Sequence, residues 1–401
     1  MRVGLFLRGL AIRFDVTVVI VPIAGSRPGR GTGGDRLRAL ASAVIDLGLP
    51  DDGAYDRSLR LSLLDPGQRP RMVRATPLPA EVEAALPGRA TELDSILGEG
   101  PIALVHVMRA SLLPLASALA QRLGATLTVD LDDDDVGLAD ALGETETARR
   151  WTELLGAWLG AASLATLASP DETSRVAARW PNLTTFVTVP NAITVPRGAV
   201  ARSPAACDDP ADLSTDKPEV LIVANLTYKP NAQGLSWFAR KVVPKMRAAA
   251  VVRVIGPHAP DLAVELAQRP ASPIPIVLTG FATESELDDA YQRATVLAAP
   301  VLVGGGTRTK VLEAFARNRP MVATTPAAAG LDVVAGTHLL VADAGPTFAA
   351  ALDLLLTDEA ERHRISAAAY GWVLAYDVPR VAAALGELFA DAPALGRRNL
   401  A

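Results

Sequence analysis

The chain has 401 residues, half of them hydrophobic, and a formal net charge of −5. That length supplies two domains of ordinary size, each with its own core, and argues against a single small binding module. The acidic balance offers no basic footprint for a phosphate backbone, which removes nucleic-acid binding from the leading readings.

In chain order, Arg8 and Arg13 interrupt the unbroken apolar core that a signal peptide needs, so the first segment reads as a helix over Val3 to Arg13. A strand is expected at Val16 to Val21, a helix from Gly34 to Asp46, and a strand at Ile102 to His106. A helix over Leu112 to Leu123, a strand at Thr126 to Leu131 and a helix around Thr145 to Leu159 follow. Strands at Ser163 to Leu167 and Thr185 to Val189 complete the first half. Alternation of this kind builds parallel βαβ units and a doubly wound sheet. The longest uncharged run, Leu154 to Ser169, falls short of the roughly 20 residues that span a bilayer. No transmembrane segment is therefore expected, which leaves peripheral contact with a membrane open.

Pro190, Pro196, Pro204 and Pro210 break the alternation, setting a first domain at 1–195 and a linker at 196–216. The lone cysteine, Cys207, falls in that linker and cannot form an internal disulfide, which suits a reducing cytoplasm. Strands at Val220 to Ala224, Val251 to Ile255, Ile276 to Leu278, Val296 to Ala299, Met321 to Thr324 and Leu339 to Val341 mark a second domain at 217–378. A last helix within 379–401 is expected to pack back on the first domain. Two α/β domains in tandem imply a central cleft facing the carboxyl ends of both sheets.

The most informative segment is Ala299 to Ala316, where an apolar strand runs through Gly304, Gly305 and Gly306 into a helix expected over Thr307 to Asn318. Residues without Cβ atoms let backbone N–H groups approach a phosphate, and the positive end of the helix favours the anion. Arg308 and Lys310 can add charge-assisted hydrogen bonds, and Glu313, an acceptor only, suits sugar hydroxyls such as a ribose diol. The plainer alternative is a turn with solvated cations.

These pieces, with Val187 to Ile193, Ala224 to Asn231, Arg319 to Thr325, Gly330-Leu331 and His338 to Asp343, resemble the GT-B glycosyltransferases of the retaining, family-four type. The resemblance is clearest from Lys217 to Asp377. It implies a GT-B fold of two Rossmann-like doubly wound parallel-sheet domains and transfer of a hexose-type sugar from a nucleotide-diphosphate sugar to a hydroxyl-bearing acceptor. It also implies retention at the anomeric carbon, with neither metal nor cofactor. Gly304 to Thr307, Arg308, Lys310 and Lys229 are then expected on the donor diphosphate and sugar, Glu313 on ribose, and His258 on base or ribose. His106, expected at the carboxyl end of its strand, is carried over as a contact to the transferred sugar; its plainer reading is a core imidazole. Asp130 and Asp132, in a run with Asp133, Asp134 and Asp135, are acceptor-side candidates, against a solvated turn and helix cap.

Two departures stand out. The family carries two glutamates separated by seven residues; Glu313 fits the second, but Gly305 occupies the first. Relatives also open with a strand and a glycine turn ahead of the helix that begins here, so the first domain is expected to lack them. A nucleotide-sugar epimerase of the same fold and a non-catalytic partner subunit are the alternatives.

Overall fold

Apolar runs of two to seven residues become strands, and the amphipathic stretches between them become helices that cover the faces of the sheets. The computed structural model describes residues 2–21, 37–46, 89–97, 100–196, 217–268, 272–303 and 309–390. The chain divides into two compact units, one of residues 1–190 with 379–401 and one of residues 191–378.

In the first unit, helix α1 (Arg2–Leu10) precedes β1 (Thr17–Ile20), which pairs in parallel with β2 (Ala43–Asp46). The helix expected through Asp46 is thus corrected at its end: Ala43, Val44 and Ile45 form a strand, because Ile45 and Val19 together cover Leu93, Leu115 and Leu119. Helix α2 (Arg89–Leu97) leads to β3 (Leu104–Met108), and α3 (Leu113–Leu123) to β4 (Thr126–Asp132). After α4 (Asp135–Ala141) and α5 (Thr145–Trp158) come β5 (Leu164–Leu167), α6 (Pro170–Arg179) and β6 (Thr185–Thr188). These four strands form a parallel sheet in the order β3-β4-β5-β6. Leu164, Ala165 and Leu167 are fully buried in it.

The second unit holds β7 (Glu219–Val223), α7 (Lys229–Trp237), β8 (Val251–Ile255), α8 (Pro260–Ala267), β9 (Ile276–Gly280) and α9 (Glu284–Arg293). It continues with β10 (Val296–Ala299), α10 (Thr309–Ala316), β11 (Met321–Ala323), α11 (Thr325–Ala328), β12 (Leu340–Val341), α12 (Gly345–Thr357) and α13 (Glu359–Val373). Its six strands are parallel in the order β12-β11-β10-β7-β8-β9, that of the doubly wound dinucleotide-binding fold. The period of two is visible in the cores. Val220, Ile222, Val296 and Ala298 face Phe238, Phe348 and Leu352, whereas Leu221, Leu297 and Ala299 face Tyr291, Leu312 and Phe315. The closing helix α14 (Val378–Ala390) belongs almost entirely to the first unit, where its Phe389 meets Phe6 of α1 edge-on at 6.2 Å.

Candidate functional site

In an open parallel sheet, ligands settle at the carboxyl ends of the strands where the order reverses. In the second unit that point lies between β7 and β10. A small crevice sits there, lined by Ala224, Asn231, Ala299, Pro300, Val301 and Lys310. Its walls are brought close by glycine: a Cβ at Gly234 of α7 would collide with the Pro300 carbonyl oxygen.

Lys310, in the first turn of α10, donates from Nζ to Asn231 Oδ1 at 3.3 Å. Asn231 Nδ2 donates in turn to the Asn225 carbonyl at 2.9 Å, so it ties α7 to the loop after β7 and is no helix cap, Tyr228 holding that position. The same loop is turned by Asn225 Oδ1, which accepts from Thr227 N at 3.0 Å and Thr227 Oγ1 at 2.7 Å. Beside it, Gly256 adopts φ 146, and a Cβ there would strike the Ala224 carbonyl oxygen. His258 is half-buried two residues further on, its Nδ1 3.3 Å from the Gly256 carbonyl. A carbonyl only accepts, so Nδ1 is the donor in this contact.

Glu313 lies one turn after Lys310 on α10 and is half-buried. Its Oε2 accepts a 2.8 Å hydrogen bond from the Tyr291 hydroxyl. Lys229 opens α7 at the same corner, but its side chain lies outside the described residues, as do Gly304, Gly305, Gly306, Thr307 and Arg308 entirely. Lys310, Glu313 and His258 therefore sit on the elements that surround the strand-order reversal of this unit.

The first-unit candidates have a different setting. His106 occupies the middle of β3 rather than its end, because the strand begins at Leu104 and runs on through Met108. Its ring stacks on Phe6 at 4.9 Å and meets the edge of Phe389 at 5.1 Å, while Nδ1 lies 2.9 Å from Thr128 Oγ1. Nε2 is buried without a partner among the described residues. Burial pushes this imidazole down to about 4, against the opposing pull of Asp130, and Arg2 lowers it a little further.

Asp130 is fully buried and belongs to an ion pair. It receives Arg2 Nε and Nη2 at 2.7 Å each and Thr166 Oγ1 at 2.7 Å. Asp132 follows a register shift in β4 and adopts φ 68. Its carboxylate meets Arg109 Nη2 at 2.9 Å and Arg2 Nε at 3.3 Å. Burial and then Asp133 raise it to about 6, and burial raises Asp135 to about 7 against the pull of Arg109. Asp134 is the cap of α4, accepting from Gly137 N at 2.9 Å. The aspartate run thus divides into a buried ion pair, a helix cap and a group around Arg109. Among the described residues no three ligating side chains are arranged to hold a metal ion.

Sequence reasoning missed Arg2, Arg109 and Tyr291. Arg109, directly after β3 and itself at φ 82, carried the signal of a cation beyond a strand end. Arg2 and Tyr291 carried none, because both act through residues far off in the chain.

Residues 217–358 match the family described as Glycosyl transferases group 1. No curated protein matches the sequence. Among solved structures, sucrose-phosphate synthase from Thermosynechococcus elongatus is similar with a TM-score of 0.67 and 15% identity, over 96% of this chain and 92% of that one. The Anabaena HepE protein in complex with UDP and glucose gives 0.63 and 13%, over 96% and 95%. An α,α-trehalose-phosphate synthase (UDP-forming) from Burkholderia vietnamiensis gives 0.59 and 16%, over 80% and 78%. The fold is that of the GT-B glycosyltransferases.

Proposed function

We propose that this chain, whose carboxyl-terminal unit carries a Glycosyl transferases group 1 domain, transfers a hexose-type sugar from a nucleotide-diphosphate sugar to a hydroxyl-bearing acceptor. The observation that carries the reading is Lys310, held by Asn231 at the crevice where the strand order of the second unit reverses. A cation fixed there is preorganised for the charge that develops on a departing diphosphate, and such fixed charge contributes most where water is excluded. Arg308 and Lys229 add to it from the same segments, Gly304 to Thr307 offer backbone donors, and Glu313 takes the ribose hydroxyls.

With Gly305 in place of a carboxylate, contact to the transferred sugar falls to the backbone amides of Gly304 to Thr307 or to the other domain. In this reading the reaction retains anomeric configuration and uses neither metal nor cofactor. The acceptor is a small aglycone, a growing polysaccharide or a lipid-linked sugar, with Asp132 and Asp135 beside Arg109 as its polar contacts.

A second reading, nucleotide binding without turnover, draws support from His106, whose ring is packed against Phe6 and Phe389 in mid-strand rather than offered at a strand end. Calorimetric titration of the full chain with UDP, GDP and ADP, followed by incubation with the matching nucleotide glucose and product analysis by NMR, tests both. Binding with sugar transfer to an added acceptor supports the transferase, and binding with an intact donor supports the second reading. A converted donor in the absence of any acceptor would identify an epimerase. No binding of any diphosphate would overturn all three.

A further inference from the structure

Tyr291 is an anomaly in the core of the second unit. It is fully buried, in the apolar cluster with Leu297, Leu312 and Phe315, where a phenylalanine would pack without the cost of a buried hydroxyl. The hydroxyl is aimed at one atom, Glu313 Oε2, at 2.8 Å. The ring beneath it is itself fixed. Arg317 lies over its face at 4.3 Å, and Arg317 is anchored through Nε to Asp288 at 3.0 Å and through Nη1 to the Glu313 carbonyl at 3.4 Å.

Glutamate has three side-chain torsions, and a half-buried carboxylate held at one oxygen gives up most of that freedom before a ligand arrives. Among the described residues, Oε1 of Glu313 takes no hydrogen bond. We propose that Tyr291 is a positioning residue for nucleotide recognition: its hydroxyl holds one oxygen of Glu313 so that the other is presented, already oriented, to the vicinal hydroxyls of the nucleoside sugar. This rests on the reading of Glu313 as the ribose-binding group. Burial and then the neighbouring Glu313 keep the phenol well above its ordinary titration range, so it remains a donor at any pH where the protein works. The arrangement selects ribonucleotide over deoxyribonucleotide donors through a residue that never touches the ligand.

The test compares Kd values for UDP, GDP and ADP with those for their 2′,3′-dideoxy forms, in the wild-type chain and in Tyr291→Phe, Glu313→Gln and Glu313→Asp. The wild type should prefer the ribo form, and Glu313→Gln should erase that preference. Tyr291→Phe, which keeps the ring under Arg317, should cut the preference roughly tenfold, the scale of one hydrogen bond to a charged group. Binding of the dideoxy ligand should stay unchanged. A merely structural role would weaken both ligands alike and leave their ratio intact, which would overturn the proposal. Glu313→Asp retains the charge, sits on a half-buried site and cannot span the same distance, so it should lose the preference as well; an undiminished ratio in that variant is equally fatal. Loss of preference in Glu313→Gln with none in Tyr291→Phe would refute the positioning role alone. Absence of any wild-type preference would remove Glu313 from the ribose site, and the proposal with it.

Discussion

Replacing His106 with leucine gives a pH-dependent gain whose size follows from the structure. The imidazole is neutral in the folded chain down to about pH 4, against an ordinary value of 6.5, and burial is the main cause. Between those values the unfolded chain binds a proton that the folded one refuses, so stability falls as pH falls through that window. At about 1.4 kcal/mol for each pH unit, the distance from 6.5 to about 4 comes to about 3 kcal/mol. Asp132 and Asp135 act with the opposite sign: raised in the fold to about 6 and about 7, they add stability at low pH that is lost as pH rises through those values. Both remain in the variant, so the difference between the two proteins isolates the imidazole.

At pH 7 the leucine variant should be about 1 kcal/mol less stable, because Thr128 Oγ1 loses its partner. By pH 4.5 the order should have reversed by a total swing of about 2–3 kcal/mol. Native-state hydrogen exchange of the β3 and β4 amides, corrected for the intrinsic pH dependence, reads the opening free energy of this unit directly. If the two proteins lose protection in parallel between pH 7 and 4.5, His106 is not a buried neutral ring.

Lys310→Ala should lower turnover on the order of 10²-fold with little change in melting temperature, as expected for one oriented donor to developing charge; wild-type rates would remove it from the site. Asp130→Ala should cost about 3 kcal/mol in denaturant titration by leaving the buried Arg2 without its bidentate carboxylate, and an unchanged midpoint would contradict the ion pair. Gly256→Ala forces a side chain into φ 146 and against the Ala224 carbonyl, so the second unit should lose several kcal/mol and the Asn225 to Tyr228 loop its NMR shifts. A stable variant with intact nucleotide affinity would show that the loop is not held there.

The strands of the second half were legible because short apolar runs such as Val251 to Ile255 and Val296 to Ala299, the first rich in β-branched residues and the second closed by Pro300, suit buried strands. The segment Ala43 to Asp46 was not, since a short apolar run suits a helix end as well as a strand until β1 lies beside it. Lys310 and Glu313 could be picked out together because their spacing follows one helix, a local relation. His106 was misplaced for the converse reason: a shift of two residues in where a strand begins moves a side chain from an open end to the interior.

Composition and periodicity were sufficient, without coordinates, to specify two α/β units, and the glycine-led helix start singled out the segment proposed for the diphosphate. Tertiary structure alone decided which polar groups are working contacts and which are core. Arg2 with Asp130 spans 128 residues, Lys310 with Asn231 spans 79 and Tyr291 with Glu313 spans 22. A hydrogen bond depends on distances near 3 Å that chain order does not encode. Only folding brings those partners within reach, and burial then sets whether a carboxylate or an imidazole is charged.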